Sequence, residues 1–200
     1  MGPRGSKRVA LSVRKLAAAL GTDSSSLYRH FRNKTELLRA VADRILLTAM
    51  DGYHPEGDWK QRVTALALRL REAFGEQPQL AGVWGRFGSG GTGSRLVMEE
   101  LLQALRTSDL PDEEVPARYH RIVILVAALI ASEAEIGTLT PKEYEQGMEQ
   151  FRVAVLGADP ERFPALSHFA RDIRPLGVDR RAAFEEILAA QLAHIEAQMP

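Results

Sequence analysis

The stretch that decides the fold lies near the N-terminus and reads Leu11-Ser-Val-Arg-Lys-Leu-Ala-Ala-Ala-Leu-Gly-Thr-Asp-Ser-Ser-Ser-Leu-Tyr-Arg-His-Phe-Arg-Asn-Lys34. Its first half carries an apolar stripe at the i, i+3, i+4, i+7 spacing of one helix face, formed by Val13, Leu16, Ala17 and Leu20. Gly21 follows where a left-handed residue ends a helix, and Asp23 or Ser24 can cap a second one. The pattern therefore predicts two short helices joined by a tight turn, a helix-turn-helix.

The second of these helices has a polar and basic outer surface. Leu27 and Phe31 are four residues apart and are expected to face inward. The outer and flanking faces then carry Ser25, Ser26, Tyr28, Arg29 and His30. Because hydroxyl and guanidinium groups can bond base edges and phosphates, this surface suits a DNA major groove.

Charge is distributed unevenly along the chain. The whole sequence balances 26 basic residues against 26 acidic ones. Residues 1–34 hold eight basic residues and one acidic residue, so this part carries +7 and the remainder −7. A solvated basic face is one interpretation of this pattern. Together with the helix-turn-helix, however, a basic head on an acidic body favours binding to a polyanion through one end.

Composition excludes several classes of protein. The 200 residues are 45% hydrophobic, enough to bury a proper core. The chain has no cysteine, which excludes disulfides, cysteine zinc sites and thiol redox chemistry. The N-terminus lacks the apolar run of a signal peptide, and the most apolar segment, Ile122–Ala131, is too short to span a bilayer. These features predict a soluble, cytoplasmic protein without a membrane partner.

Beyond Lys34 the sequence predicts helices almost throughout and no strand. Asn33 and Glu36 resemble a capping box that begins a helix running to about Met50, which should connect the basic head to the body. Further helices are expected over 59–75, 78–87, 96–105, 111 or 116–136, 141–156, 160–173 and 179–198. The centre of the helix ending near 136 is apolar on every side, so we expect it to be covered all round, by its own domain and by a ligand or second subunit.

The run Leu-Ser-Val-Arg-Lys-Leu-Ala…Leu-Gly…Ser-Leu-Tyr-Arg-His-Phe-Arg-Asn-Lys…Leu-Leu, over Leu11–Leu46, resembles the DNA-binding signature of the TetR family of transcriptional regulators. The resemblance implies an all-α homodimer with a helix-turn-helix DNA-binding domain, residues 1–48, and a C-terminal ligand-binding and dimerisation domain, residues 49–200. It also implies a repressor that binds a palindromic double-stranded operator and is released by a small-molecule effector. The family normally has a full helix ahead of this motif, whereas only Met1–Val9 precede it here.

The resemblance assigns roles in DNA binding by position. Ser12 and Arg14 are expected to meet the DNA backbone or a neighbouring base. Bases are expected to be read by Ser24, Ser25, Ser26 and Arg29. Phosphates are expected to be held by Tyr28, His30 and Lys34, although partial packing within the head is an alternative for Tyr28 and His30.

Candidate effector contacts lie on the helices that enclose the family's pocket. They are Trp84, Phe87, Met98, His120, Ile124 and Glu133. Simple packing in the core is the alternative for each aromatic residue. Met50 stands where the tetracycline repressor has a histidine that helps to bind drug and metal, so a magnesium-tetracycline effector is not expected.

A dimer contact is expected on the long apolar helix, Tyr119–Ile130, and on one side of the last helix. The residues predicted there are Phe184, Leu188, Leu192 and Ile195. Two such helices from each chain would make a four-helix core. Packing of the last helix within its own domain is the alternative that periodicity leaves open.

Signals for catalysis are weak. The glycine-rich segment Gly88–Arg95 has Ser-Arg where a phosphate-binding loop needs Lys-Ser/Thr, and the histidines show no metal-ligand spacing. We therefore expect no enzyme activity, no cofactor and no metal. The alternative function is a small-molecule-binding or scaffold dimer that has lost DNA binding.

Overall fold

The computed structural model describes residues 29–87, 90–175 and 179–199, and these are helical with no strand among them. The eight helices in these ranges are α1 Lys34–Met50, α2 Trp59–Gly75, α3 Pro78–Phe87, α4 Thr92–Arg106, α5 Val115–Gly137, α6 Pro141–Leu156, α7 Pro164–Phe169 and α8 Arg180–Glu196. The predicted all-α fold class is confirmed.

Helix α1 begins close to the predicted capping signal. The Asn33 side chain accepts a hydrogen bond from the Glu36 amide at 2.9 Å. The Glu36 carboxylate reaches back to the Arg32 amide at 2.7 Å, one residue before the position of a regular capping box. The two bonds fix the direction in which α1 leaves the preceding segment.

The core is built from α1 to α5 together with α8. Each of these six helices contributes one or more of the most deeply buried large side chains, which include Leu46, Phe74, Leu80, Leu105, Ile122 and Phe184. The Phe74 and Trp84 rings stack inside it, with centroids 5.1 Å apart and an angle of 15° between the rings. Burial of these apolar groups is the main force that holds the helices together.

Helix α8 lies antiparallel to α2 and α5. At one end the Lys60 ammonium group, near the start of α2, pairs with Glu196 at 2.6 Å. At the other end the Arg180 guanidinium donates to the Glu133 carbonyl oxygen, near the end of α5, at 3.4 Å. These contacts hold α8 in the same helical bundle as α2 and α5.

The inner face of α8 corrects one prediction from the sequence. The four residues expected at a dimer contact are at most 2% exposed and lie in the core of their own chain: Phe184, Leu188, Leu192 and Ile195. The outer face carries Ile187, which is 43% exposed, and the small residues Ala190 and Ala193. The periodicity identified a buried face correctly, but the side chains that cover it belong to the same subunit.

Helix α5 is covered on only one side by its own chain. Ile122, Val126 and Ile130 face the core, whereas Ile124 is 55% exposed and Ala128 is exposed beside it. The apolar composition of this helix therefore leaves an apolar strip on the outside of the chain.

Helices α6 and α7 form an extension that we call the arm, residues 141–169. They pack chiefly against each other, and of the α6 residues only Val155 is buried. Large apolar side chains of the arm are exposed, among them Val153, Leu156 and Phe169. The helix expected over 160–173 is limited to Pro164–Phe169.

No single helix in the described ranges is both long and apolar enough to cross a membrane. Only α5 and α6 taken together pass such a test by length and composition, and they are bent by 107°.

Candidate functional site

Three of the predicted DNA contacts lie within the described residues. Arg29, His30 and Lys34 are all exposed, just before or at the start of α1. Their exposure leaves them accessible to a polyanion. The other six predicted contacts lie outside the described residues: Ser12, Arg14, Ser24, Ser25, Ser26 and Tyr28.

Helix α1 is fastened to α4 through a carboxylate. Asp43 accepts hydrogen bonds from the backbone amides of Gly93, at 3.2 Å, and Ser94, at 2.8 Å. The N-cap residue of α4, Gly91, offers no side-chain bond, so Asp43 caps α4 from a neighbouring helix. Two of the otherwise unsatisfied amides in the first turn of α4 are thereby bonded to α1.

The two helices also touch backbone to backbone at Gly93. A Cβ atom added to Gly93 would lie 2.5 Å from the Leu47 amide nitrogen and would also collide with the Asp43 carbonyl oxygen. Only glycine fits this approach without moving a helix. Displacement of α4 therefore has to move α1 as well.

Helix α2 holds the other end of α1. The Arg69 guanidinium donates to the Ala49 carbonyl oxygen and, at 2.6 Å, to the Asp51 carbonyl oxygen. The same guanidinium lies 5.7 Å from the centre of the Tyr53 ring. These contacts satisfy carbonyl groups at the C-terminal end of α1 and join that end to α2.

A half-buried ion pair connects α2 and α4. Arg62 and Glu100 approach to 2.9 Å with side chains that are only 15% and 12% exposed. The Tyr53 hydroxyl donates to the Arg62 carbonyl oxygen at 3.3 Å. Burial raises the pKa of Tyr53, and the Glu100 charge raises it further, so the hydroxyl stays protonated to a higher pH than that of an exposed tyrosine.

An apolar cavity lies between α2, α3, α4 and α5. Its volume is about 20 Å³, and side chains that line it include Val63, Leu66, Leu70, Trp84, Val97 and Ile122. This is room for about one water molecule. In the described conformation the cavity is therefore too small for an organic effector, and a larger guest would require the surrounding helices to separate.

A second cavity, which we call the basic cleft, opens where α2 and α5 end and α3 and α8 begin. It has a volume of about 280 Å³ and is lined by Arg71, Phe74, Ile130, Glu133, Ala134 and Arg180, among others. Arg71 and Glu133 form an ion pair at 2.8 Å with side chains 19% and 18% exposed. The cleft combines an apolar wall with charged groups at its edge.

The structure separates the six predicted effector contacts. Trp84 lines the apolar cavity and Glu133 lines the basic cleft. Met98 is 41% exposed and His120 and Ile124 are exposed too, and none of the three lines either cavity. The side chain of Phe87 lies outside the described side chains.

Sequence reasoning missed Asp43, Gly93 and Arg180. Asp43 lies 50 positions before Gly93, and no periodic pattern links the two. The sequence predicts α4 over 96–105, whereas the helix begins within the glycine-rich segment, at Thr92. The only sign in the sequence is Gly93 itself, because a glycine near the start of a helix with an apolar face can indicate close approach of another backbone.

Comparisons with known proteins agree with this architecture. The family described as "Bacterial regulatory proteins, tetR family" matches residues 9–41, and "Tetracyclin repressor-like, C-terminal domain" matches residues 52–199. A solved structure from Streptomyces coelicolor A3(2), provisionally assigned as a transcriptional regulator, is 73% identical with a TM-score of 0.81, covering 98% of this chain and 91% of its own. ActR from Streptomyces coelicolor, solved in complex with (S)-DNPA, is 26% identical with a TM-score of 0.72, covering 96% and 89%.

Among curated relatives, the HTH-type transcriptional repressor DrrR1 of Streptomyces coeruleorubidus is 29% identical over 81% of this chain. The match spans 62% of that repressor's own length. The matched proteins are regulators rather than enzymes, in agreement with the expectation of no enzyme activity. Because the C-terminal family match alone covers more than half of the sequence, this chain belongs to the TetR family of bacterial transcriptional regulators.

Proposed function

We propose that this regulator is a ligand-responsive repressor, which binds a palindromic operator as a homodimer and leaves it when a small molecule binds. The proposal divides the chain into a DNA-binding head, residues 1–48, and a ligand-binding and dimerisation body, residues 49–200. It acts in the cytoplasm, where its operator lies. The observation that carries the proposal is the contact between α1 and α4 at Asp43 and Gly93.

The apolar cavity supplies the response to the ligand. At about 20 Å³ it cannot admit an effector unless α2, α4 or α5 moves outward. Helix α4 contributes Val97 to the cavity wall and is bonded to α1 through Gly93. An effector that separates the helices therefore shifts α1, whose first residues lie within the segment 9–41 that matches the tetR family of regulatory proteins.

The energetics follow from linkage. An effector changes operator affinity only by the ratio of its affinities for the two conformations, and a hundredfold ratio corresponds to about 2.7 kcal/mol. The complex of the related ActR with (S)-DNPA supports an effector in this branch of the family. The present geometry adds a route by which its binding reaches the head.

The homodimer uses the outer faces of α5 and α8. These antiparallel helices expose Ile124 and Ile187, which are 55% and 43% exposed, with Ala128 and Ala190 beside them. The corresponding strip on a second copy would complete a four-helix core with small residues that allow close approach. Two heads joined in this way can read half-sites about one helical turn apart.

Selection of duplexes from a random pool, followed by fluorescence anisotropy on the selected sequence, tests the DNA-binding function. We expect a two-fold symmetric sequence, two chains per duplex and affinity that falls steeply with salt. Failure to enrich any sequence would refute the operator and would favour the dimer that has lost DNA binding.

The dimer surface has a matched test. Ile187→Glu should give monomers in sedimentation analysis and abolish operator binding, with the helical spectrum retained. Leu96→Glu is the control, because Leu96 on α4 has the same exposure, 43%, but lies off the α5 and α8 strip. A dimeric Ile187→Glu variant would exclude this face as the interface.

A further inference from the structure

The basic cleft has the composition of a site for a small organic anion. Its wall contains Phe74 and Ile130, which are 0% and 3% exposed, and its edge contains two arginines and one glutamate. Ligand sites of this kind join an apolar surface to a few polar groups that fix orientation. The cleft is separate from the apolar cavity in which the proposed function has the effector bind.

The charges in the cleft do not cancel. Arg71 and Glu133 neutralise each other at 2.8 Å. Arg180 donates one hydrogen bond to the Glu133 carbonyl oxygen at 3.4 Å, and no carboxylate within the described ranges lies at ion-pair distance from it. The edge of the cleft therefore carries one positive charge without a negative partner.

The position of Arg180 in α8 strengthens this argument. It is the first residue of the helix, where the helix dipole disfavours a cation. Its neighbour Arg181 instead pairs with Glu185 at 2.9 Å on the outside of α8. The helix dipole therefore does not stabilise the Arg180 charge. A bound anion would interact favourably both with the Arg180 guanidinium and with the N-terminal end of α8.

We propose that the basic cleft binds a small aromatic or short aliphatic monocarboxylate. The planar guanidinium of Arg180 matches a carboxylate through two parallel hydrogen bonds. The apolar part of the ligand lies in the cleft over Gly75, Pro78 and Gly137, behind which Phe74 and Ile130 are buried. A volume of about 280 Å³ limits the ligand to a small molecule, near the lower end of known binding pockets.

Occupancy of the cleft can be observed through Trp84. The Phe74 ring lines the cleft and stacks on Trp84 at 5.1 Å, and Trp84 in turn lines the apolar cavity. The stacked rings therefore separate the two cavities. A ligand in the cleft that shifts the buried Phe74 ring alters the environment of the indole and its fluorescence.

The test uses the full chain, with benzoate, phenylacetate and hexanoate as probes and with calorimetry and tryptophan fluorescence as readouts. We expect at least one carboxylate to bind, and we expect benzamide, the neutral analogue of benzoate, to bind about tenfold more weakly than benzoate. Arg180→Gln should weaken binding by about tenfold or more, while the control Arg181→Gln binds like the parent protein. Circular dichroism and melting temperature should match between the two variants.

Three outcomes would overturn the proposal. The first is no response to any of the three acids at about 10 mM, a concentration at which a specific site of this kind would be occupied. The second is that Arg180→Gln binds the acids as tightly as the parent protein does. The third is that benzamide binds as tightly as benzoate. If inorganic phosphate binds and the acids do not, the cleft is a phosphate site, and the proposal of a carboxylate ligand is wrong.

Whether occupancy of the cleft also releases DNA rests on the proposed function. Operator anisotropy with and without a bound acid separates the two ideas. Acid binding with unchanged operator affinity would leave the site in place and remove its coupling to DNA. Failure to find any operator would refute the proposed function without bearing on acid binding.

Discussion

Replacing Gly93 with alanine should push α1 and α4 apart. The added Cβ would lie 2.5 Å from the Leu47 amide nitrogen, whereas comfortable contacts between such atoms are about 3.5 Å, so α4 must move by roughly 1 Å. Overpacking of this kind costs about 1–3 kcal/mol. The higher helix propensity of alanine returns less than about 1 kcal/mol in the first turn of a helix. We expect a net loss of about 1–2 kcal/mol in the free energy of unfolding.

The assay is urea unfolding followed by circular dichroism, at a fixed protein concentration because the chain is expected to dimerise. Gly137→Ala is the matched control, since Gly137 is the last residue of the core helix α5 and an added Cβ would meet nothing within 4 Å. This substitution should leave the stability unchanged or raise it by up to about 1 kcal/mol, in contrast to the first. If Gly93→Ala is as stable as Gly137→Ala, α1 and α4 are not in backbone contact and the proposed route from cavity to head fails.

Three further predictions address DNA binding, pH and the core. Arg29→Ala should weaken operator binding by about 1–3 kcal/mol with less effect on binding to a random duplex, whereas Lys34→Ala should weaken binding to both duplexes alike. Equal losses on both duplexes for Arg29→Ala would show that Arg29 does not read bases. Because burial raises the pKa of Tyr53, its stabilising effect is complete below the unfolded tyrosine value of about 10 and is lost as pH rises through the folded value. Tyr53→Phe should therefore flatten the alkaline fall in urea midpoint, and an unchanged fall would contradict this. Leu105 is 0% exposed, so Leu105→Ala should lower the free energy of unfolding in urea by about 2–5 kcal/mol. Leu96 is 43% exposed, so Leu96→Ala should lower it by less than about 1 kcal/mol. Similar losses for the two variants would contradict the described packing.

The helices could be predicted from the sequence because their signals are local. Asn33 with Glu36 and the proline at position 141 act on residues in the same turn, so α1 and α6 begin where these signals indicate. The start of α4 could not be predicted from the sequence, because Gly91 and Gly93 favour loops by propensity. The carboxylate that caps α4 at Gly93 and Ser94 belongs to Asp43 on another helix, so the local sequence shows no sign of it.

The candidate site was harder to predict for the same reason. A periodic stripe identifies the face of a helix that is buried, as for Phe184 and Leu188, but not whether its own chain or a second copy covers it. His120 and Met98 lie on the expected helices, but their exposure depends on how those helices are rotated relative to their neighbours. Arg180 shows no sequence signal at all, because only the meeting of four helix ends creates the cleft around it.

The arm gives this chain two levels of folding stability. A 16-residue helix is only slightly longer than the length at which isolated helices become marginal in water, and α6 packs chiefly against the short α7. Amide hydrogens in the arm should exchange with deuterium through local opening, at a free energy well below that of global unfolding. Amides in α2 and α8, whose inner faces lie in the core, should wait for the whole body to unfold. The helical signal of the chain therefore reports on two equilibria, and a partial loss of helix at low denaturant would record the arm melting while the body remains folded.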